Sequence, residues 1–167
     1  MVIEVCVVGG YKEVGGNCTA IRVDDEVVIL DMGLHMENYV KHTEDEDIRD
    51  ITAKQLIKVH AVPDISIIDD WKSKVKAIIP SHAHLDHVGA IPFLANHFDA
   101  PIIATPYTIE VIKAISKDVH LKNKLIRINP NSSLKLTENI TVEFIHVTHS
   151  TPQTAIVGLP SSSTFPP

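Results

Sequence analysis

The stretch His82-Ala83-His84-Leu85-Asp86-His87 decides the fold of this chain and most of its chemistry. It directly follows residues 75–80, VKAIIP, whose apolar character predicts a buried strand. Imidazole nitrogens and carboxylate oxygens are the ligands that zinc takes in catalytic sites, and open α/β sheets place such sites at the carboxyl ends of strands. In a turn, His82 and His84 can bind one ion while Asp86 and His87 bind a second. The segment therefore predicts a two-metal site.

Two metal ions held about 3.5–4 Å apart can share a water, lower its pKa and hold both oxygens of a displacement reaction. The competing interpretation is a surface loop that is rich in histidine by chance. Four ligand-type residues within six positions make that interpretation the weaker one. Zinc is the expected ion, although the same nitrogen and oxygen ligands also accept manganese or iron.

A third histidine follows a distant strand. His149 comes directly after the predicted strand 141–148 and can complete a three-histidine set with His82 and His84. The alternative from local sequence is a structural histidine at a strand end. His146 lies three residues earlier and, by strand alternation, points to the opposite face, which disfavours it as a ligand.

An aspartate ends the apolar strand predicted over residues 27–31. Asp31 stands immediately before Met32 and Gly33. A carboxylate at that position either forms a turn or accepts a hydrogen bond from a metal-binding imidazole and so fixes its tautomer. The local sequence leaves both roles open.

The remainder of the chain alternates predicted strands with predicted helices, which indicates the α/β class. Residues 34–71 differ from the rest: they hold the acidic run Glu44-Asp45-Glu46-Asp47 and a helix that Thr52 caps, and we expect an insertion between core strands. Strands are expected at residues 2–8, 17–23, 27–31, 75–80, 101–105, 124–128, 141–148 and 153–159, helices at 52–60, 88–98 and 106–117, and a turn at 129–133.

Composition limits the classes of function. The length of 167 residues suits one domain or part of a larger one, and the net charge of −6 argues against a free-standing nucleic-acid binder. No apolar run approaches the roughly 20 residues of a membrane-spanning helix. Cys6 and Cys18 form no disulfide framework, so we expect buried structural thiols and a cytoplasmic location.

Several segments together resemble a known family. The motif at His82–His87 resembles the signature of the metallo-β-lactamase superfamily, Ile29-Leu30-Asp31-Met32-Gly33 its first motif and Thr148-His149-Ser150 its third. The wider text resembles the ribonuclease J (β-CASP) family over about residues 1–160, and the insertion at 47–71 its archaeal members. The segments that carry this resemblance are Gly9-Gly10-Tyr11-Lys12-Glu13-Val14-Gly15-Gly16-Asn17, Ala90-Ile91-Pro92-Phe93-Leu94, Ala104-Thr105-Pro106-Tyr107-Thr108 and Val147-Thr148-His149-Ser150-Thr151-Pro152.

The resemblance implies the amino-terminal part of an αββα sandwich, with a mixed sheet and flanking helices. It implies that His82, His84 and His149 bind one zinc ion and that Asp86 and His87 bind the second, with Asp31 supporting the site. Asp86, His84 and Asp31 are accordingly the expected catalytic residues. The implied reaction is hydrolysis of RNA from the 5′ end, with some internal cleavage, by a hydroxide that two zinc ions activate. Homodimers, formed through regions that mostly lie outside this sequence, are also implied.

The chain departs from the family after Leu159. Family members continue with an aspartate that bridges the two metals, a β-CASP domain that grips RNA and the second half of the sandwich. No aspartate follows Asp118 here, and residues 161–167 have the composition of a disordered tail. We therefore expect a metallo-β-lactamase domain over residues 1–160, cut short, binding one or two zinc ions and weakly active or inactive by itself.

Two other functions remain open at the level of sequence. One is a different hydrolase of the same fold, such as a glyoxalase-II-like thioesterase or a phosphodiesterase. The other is a non-catalytic zinc-binding remnant that pairs with a full-length subunit, for which the missing bridging aspartate is the main reason.

Overall fold

The chain is described here by a computed structural model over residues 2–44, 47 and 50–160. Its main layer is a six-stranded mixed sheet of spatial order β1-β2-β3-β4-β5-β6, in which β1 to β3 form an antiparallel meander and β3 to β6 run parallel. The strands are β1 Ile3–Gly9, β2 Cys18–Val23, β3 Glu26–Leu30, β4 Val75–Ile79, β5 Ile102–Ala104 and β6 Leu125–Arg127.

Helices cover one face of this sheet. Strand residues that point to that face, such as Ile29, Ile78 and Ile102, are fully buried against Leu56 and Leu94 from the helical layer. The helices are α1 Met36–Thr43, α2 Ala53–Lys58, α3 Leu85–Val88, α4 Ile91–Leu94 and α5 Pro106–Ile115, with 3₁₀ segments at Ile65–Lys74 and Ala95–His97.

A second sheet of three antiparallel strands covers the opposite face. It consists of β7 Ser132–Lys135, β8 Thr141–His146 and β9 Ala155–Gly158, with β8 in the centre. Val28 and Ile79 alternate with the helix-facing residues of β3 and β4, and they pack against Phe144 and Val142 of β8. The predicted α/β fold with a mixed sheet and flanking helices is thereby confirmed as a helix–sheet–sheet arrangement.

The outer face of the three-stranded sheet stays open to solvent. Ile145 and Ile156 are directly paired there and are 47% and 56% exposed. Along β1, at the edge of the main sheet, Ile3, Val5 and Val7 are exposed as well.

The segment 34–71 is more than a surface addition. Thr52 caps α2 as expected: its hydroxyl accepts from the backbone N–H of Gln55, whose side chain accepts from the N–H of Thr52. Leu56 and Ile68 bury their side chains completely in the helix-side core. The tail at 161–167 and two residues of the acidic run, Asp45 and Glu46, lie outside the described residues.

Three local predictions need correction. The helix expected at 88–98 is broken into α3, α4 and a 3₁₀ turn. A Cβ on Gly89 would lie 2.7 Å from Leu34, so the chain packs tightly there. Pro92 lies in the first turn of α4, because it lacks the N–H that the interior of a continuous helix needs. The turn expected at 129–133 is shorter, since Asn131 takes the left-handed conformation and β7 begins at the next residue. The strand expected over 141–148 ends at His146.

None of the helices within residues 2–44, 47 and 50–160 has the length and apolar character that a membrane crossing requires.

Candidate metal centre

Three loops at one edge of the molecule bring the predicted residues together. The loop after β3 carries Asp31, the loop after β4 carries residues 82–87, and the loop after β8 carries His149. Because β3 and β4 are parallel, Asp31 and the histidine motif emerge at the same end of the sheet. The backbone N–H of Ala155 donates to Ser81 O at 3.1 Å, which ties the start of β9 to the motif loop. The site thus lies at the carboxyl ends of strands, as predicted.

His82, His84 and His149 form one cluster. One ring nitrogen from each lies within 4.8 Å of the other two. The ring centroids are 4.8 Å apart for His82 and His84 and 4.8 Å apart for His82 and His149. His82 is buried, His84 is half-buried and His149 is exposed, so the cluster opens to solvent on the side of His149.

Asp86 and His87 lie beside this cluster. The ring of His87 is 4.0 Å from that of His82, centroid to centroid, and its Nε2 is 3.4 Å from Asp86 Oδ2. The opposite nitrogen, Nδ1, is 2.8 Å from Asp31 Oδ2. Asp31 therefore contacts His87 on the side of the ring opposite to Asp86.

The hydrogen bonds around Ser81 allow the tautomers to be assigned. Asp31 Oδ1 accepts from the Ser81 backbone N–H at 2.7 Å and from its hydroxyl at 2.9 Å. Because the Ser81 hydroxyl donates its only hydrogen to Asp31, its oxygen accepts from Nδ1–H of His82, which is 3.0 Å away. His87 likewise donates from Nδ1 to Asp31. In their neutral forms, both imidazoles therefore present an unprotonated Nε2 on the side away from Asp31 and Ser81.

Protonation equilibria differ between the two imidazoles. Burial, reinforced by the neighbouring charge of His87, lowers the pKa of His82 to about 4, so this ring is neutral at pH 7. Burial also acts to lower the pKa of His87, but the hydrogen bond and charge of Asp31, together with Asp86, outweigh it and raise that pKa above its ordinary value. The pKa of the Cys18 thiol is raised by burial, which fits the structural role expected for it.

The donor set fits a metal ion. Nε2 of His82 and Nδ1 of His84 face each other at 3.0 Å. Because His82 Nε2 is the acceptor, Nδ1 of His84 carries the hydrogen of this contact in the metal-free chain. A cation bound by both nitrogens takes the place of that proton. Neighbouring ligand nitrogens on a tetrahedral zinc ion are about 3.3 Å apart. The three ligand nitrogens lie within 4.8 Å of one another, so the rings would have to move closer by about an ångström to bind one ion together.

Three polar residues at this site escaped the sequence analysis. Asn17 Nδ2 contacts Asp86 and His87, Ser81 joins Asp31 to His82, and the Ser150 hydroxyl lies 3.1 Å from Nε2 of His84. Ser81 and Ser150 are each adjacent in sequence to a predicted ligand, and this adjacency could have indicated that they lie at the site. Asn17 is 69 positions from Asp86, and no local pattern in the sequence connects the two.

Residues 56–164 match the family model of the beta-lactamase superfamily domain. The chain therefore belongs to the beta-lactamase superfamily. Its fold is also that of the metallo-beta-lactamase fold protein YhfI from Bacillus subtilis, with a TM-score of 0.59 and 16% identity over 98% of this chain and 60% of that one. The superfamily and the histidine cluster together identify a metal ion as the cofactor of this site.

Within that superfamily, the chain is similar to proteins named ribonuclease J. It is 45% identical to the one from Methanocaldococcus jannaschii and 42% identical to the one from Pyrococcus abyssi, each over 93% of this chain. The expected resemblance to archaeal members is confirmed. The chain spans 35% of the length of each of these relatives.

Proposed function

We propose that this chain carries the metal-binding part of an RNA phosphodiester hydrolase of the ribonuclease J type. The observation that supports this most is the meeting of His82 and His84 with His149, which is more than 60 residues away in sequence, beside the ordered Asp31–His87 pair. The RNA substrate is inferred from the relatives named ribonuclease J.

The ligands divide into two adjacent subsites. His82, His84 and His149 would hold one zinc ion, and Asp86 with His87 would hold the second, which we call the His87 subsite. Zinc is favoured because two of its preferred ligand types, imidazole and carboxylate, make up the whole set. The metal supplies Lewis-acid activation of water and neutralisation of the charge that develops on the phosphodiester.

The residues of the chain itself prepare this chemistry. Asp31 and Ser81 hold the rings of His82 and His87 with the unprotonated nitrogens facing the site, so the ligands are oriented before an ion arrives. The low pKa of His82 keeps that nitrogen free of a proton at neutral pH. His149 is exposed and Asp86 is half-buried, so a phosphodiester would reach the cluster from this open side.

Other parts of the proposal concern the protein as a whole. We assign residues 1–160 to one metallo-β-lactamase domain, with residues 34–71 inserted in it. A β-CASP domain would lie in the part of the relatives that does not align with this chain. A cytoplasmic location and homodimers stay predictions of the family resemblance.

The test is an assay with 5′-monophosphorylated RNA and zinc-loaded chain. The expected result is slow release of mononucleotides, because the chain aligns with only 35% of the relatives' length. Release should stop with a chelator and in His149→Ala, and it should continue in His146→Ala, whose exposed side chain is three positions away. Failure of the chain to bind zinc, or release that survives His149→Ala, would overturn the proposal.

A further inference from the structure

Asn17 reaches the His87 subsite from a different part of the sheet. Its Nδ2 lies 2.9 Å from the backbone oxygen of Asp86, 3.2 Å from Oδ2 of the same residue and 3.3 Å from Nε2 of His87. All three neighbours are acceptors, which places the amide nitrogen, and not the amide oxygen, on this side. These are the carboxylate and the ring nitrogen assigned above to the second ion.

The backbone holds Asn17 in this position. Its N–H donates to Asp86 O at 3.1 Å, and its carbonyl accepts from the N–H of Gly33 at 3.0 Å. Gly10, in the same loop, has a φ of +87°, and a Cβ there would lie 2.5 Å from Asn17 Oδ1. The loop therefore leaves just enough space for this carboxamide, and a side chain at position 10 would displace it.

The amide has two hydrogens for three acceptors, so the contacts are unequal. The two oxygens of Asp86 are the nearer partners, and Nε2 of His87 is the most distant. When an ion takes the lone pair of Nε2, Asn17 loses that contact and keeps both contacts to Asp86. Because Asp86 Oδ2 is engaged by Asn17, the orientation of the whole carboxylate is fixed.

We propose that Asn17 is a positioning residue that orders Asp86 and His87 for the second metal ion. The inference rests on the proposed function, because it requires that these two residues bind an ion. Removing the carboxamide should weaken the second ion by about 10–100-fold, the range seen when partners of metal ligands are lost. The three-histidine subsite, which Asn17 does not contact among the described residues, should keep its affinity.

The experiment is a calorimetric titration of the metal-free chain with Zn²⁺ alone. Asn17→Ala removes the carboxamide, and Asn17→Leu removes its polar atoms while keeping its approximate volume, in case the alanine variant does not fold. Tyr11→Phe is the matched control: Tyr11 lies in the same loop as Asn17, and the change removes its 3.2 Å contact with Thr19 of β2 without touching a ligand. Circular dichroism spectra establish that each variant is folded.

The expected result is two binding events in the wild type and in Tyr11→Phe, with only the weaker event lost or lowered at least 10-fold in the Asn17 variants. Two unchanged events in Asn17→Leu would overturn the role of Asn17 and leave the two-ion proposal standing. A single event in the wild type would overturn both, because no second ion would then exist to be positioned. Equal loss of both events in folded variants would also contradict a role confined to the His87 subsite.

Discussion

Asp31 Oδ2 lies 2.8 Å from Nδ1 of His87, and these side chains are only 17% and 21% exposed. Asp31 achieves this with a left-handed backbone, φ +58°, directly after β3. That conformation is uncommon for residues other than glycine, but aspartate tolerates it better than most. The contact links two strands through their loops and gives His87 one defined tautomer.

Replacing Asp31 by asparagine should reverse this tautomer. Asp31 accepts hydrogen bonds on both oxygens, and an asparagine has only one acceptor. If the asparagine NH₂ faces His87, the imidazole proton moves to Nε2 and blocks the metal. If the NH₂ faces Ser81, it meets the backbone N–H of Ser81, and two donors then point at each other. We expect Zn²⁺ to bind the His87 subsite about 10–100-fold more weakly, measured by competition with a chromophoric chelator.

Asp25→Asn is the control for this prediction. Asp25 pairs with Lys74 at 2.9 Å on the surface, at the far end of the same strand. Its replacement should leave zinc affinity unchanged. An Asp31→Asn variant with wild-type affinity would show that the tautomer of His87 does not matter for binding.

Local signals predicted the parts of this site that lie close together in sequence. The spacing of His82, His84, Asp86 and His87 is enough to indicate metal ligands, and a capping residue such as Thr52 identifies a helix start from a few neighbours. Asn17 contacts its partners across 69 positions, and no local pattern carries that information. The broken helix after His87 was missed for a similar reason, because the close approach of Gly89 to Leu34 is a tertiary contact.

Gly33 should not accept a side chain. A Cβ there would lie 1.6 Å from the carbonyl oxygen of Asp86, in the backbone of the metal motif. Gly33→Ala should therefore lower the free energy of unfolding by about 3 kcal/mol or more, measured by urea denaturation. Gly158→Ala is the matched control, because its nearest neighbours would be 3.7 Å away. Similar stability for the two variants would contradict the described packing of the Gly33 and Asp86 loops.

The contact between the two sheets can be tested with adjacent residues of β8. Phe144 is fully buried between the sheets, whereas Ile145 points to the open outer face and is 47% exposed. Phe144→Ala should lower the free energy of unfolding by about 3–5 kcal/mol. Ile145→Ala should cost less than about 1 kcal/mol. Thermal or urea unfolding of both variants makes the comparison, and the reverse order would mean that β8 faces the other way.

Metal-free chain should lose stability as the pH falls from 6.5 towards 4. The pKa of His82 is about 4 in the folded chain and about 6.5 when unfolded, so the unfolded state binds more protons in this window. The difference amounts to at most about 3 kcal/mol for this residue. His87 acts in the opposite sense: its raised pKa stabilises the fold below pH 6.5, and this contribution is lost as the pH rises through the folded-state value.

His82→Gln isolates the contribution of His82. Urea unfolding of both proteins in the presence of a chelator should show a gap in stability that narrows steadily from pH 6.5 to pH 4.5. Parallel curves for the two proteins across this range would mean that His82 is not protected from protonation in the fold.

The central claim is that His82, His84 and His149 together hold a metal ion. Anomalous diffraction at the zinc absorption edge, from crystals of the zinc-loaded chain, tests it most directly. We expect a peak about 2.0–2.1 Å from one ring nitrogen of each histidine. A zinc-loaded crystal with no peak among these three rings, or with the ion bound elsewhere, would contradict it.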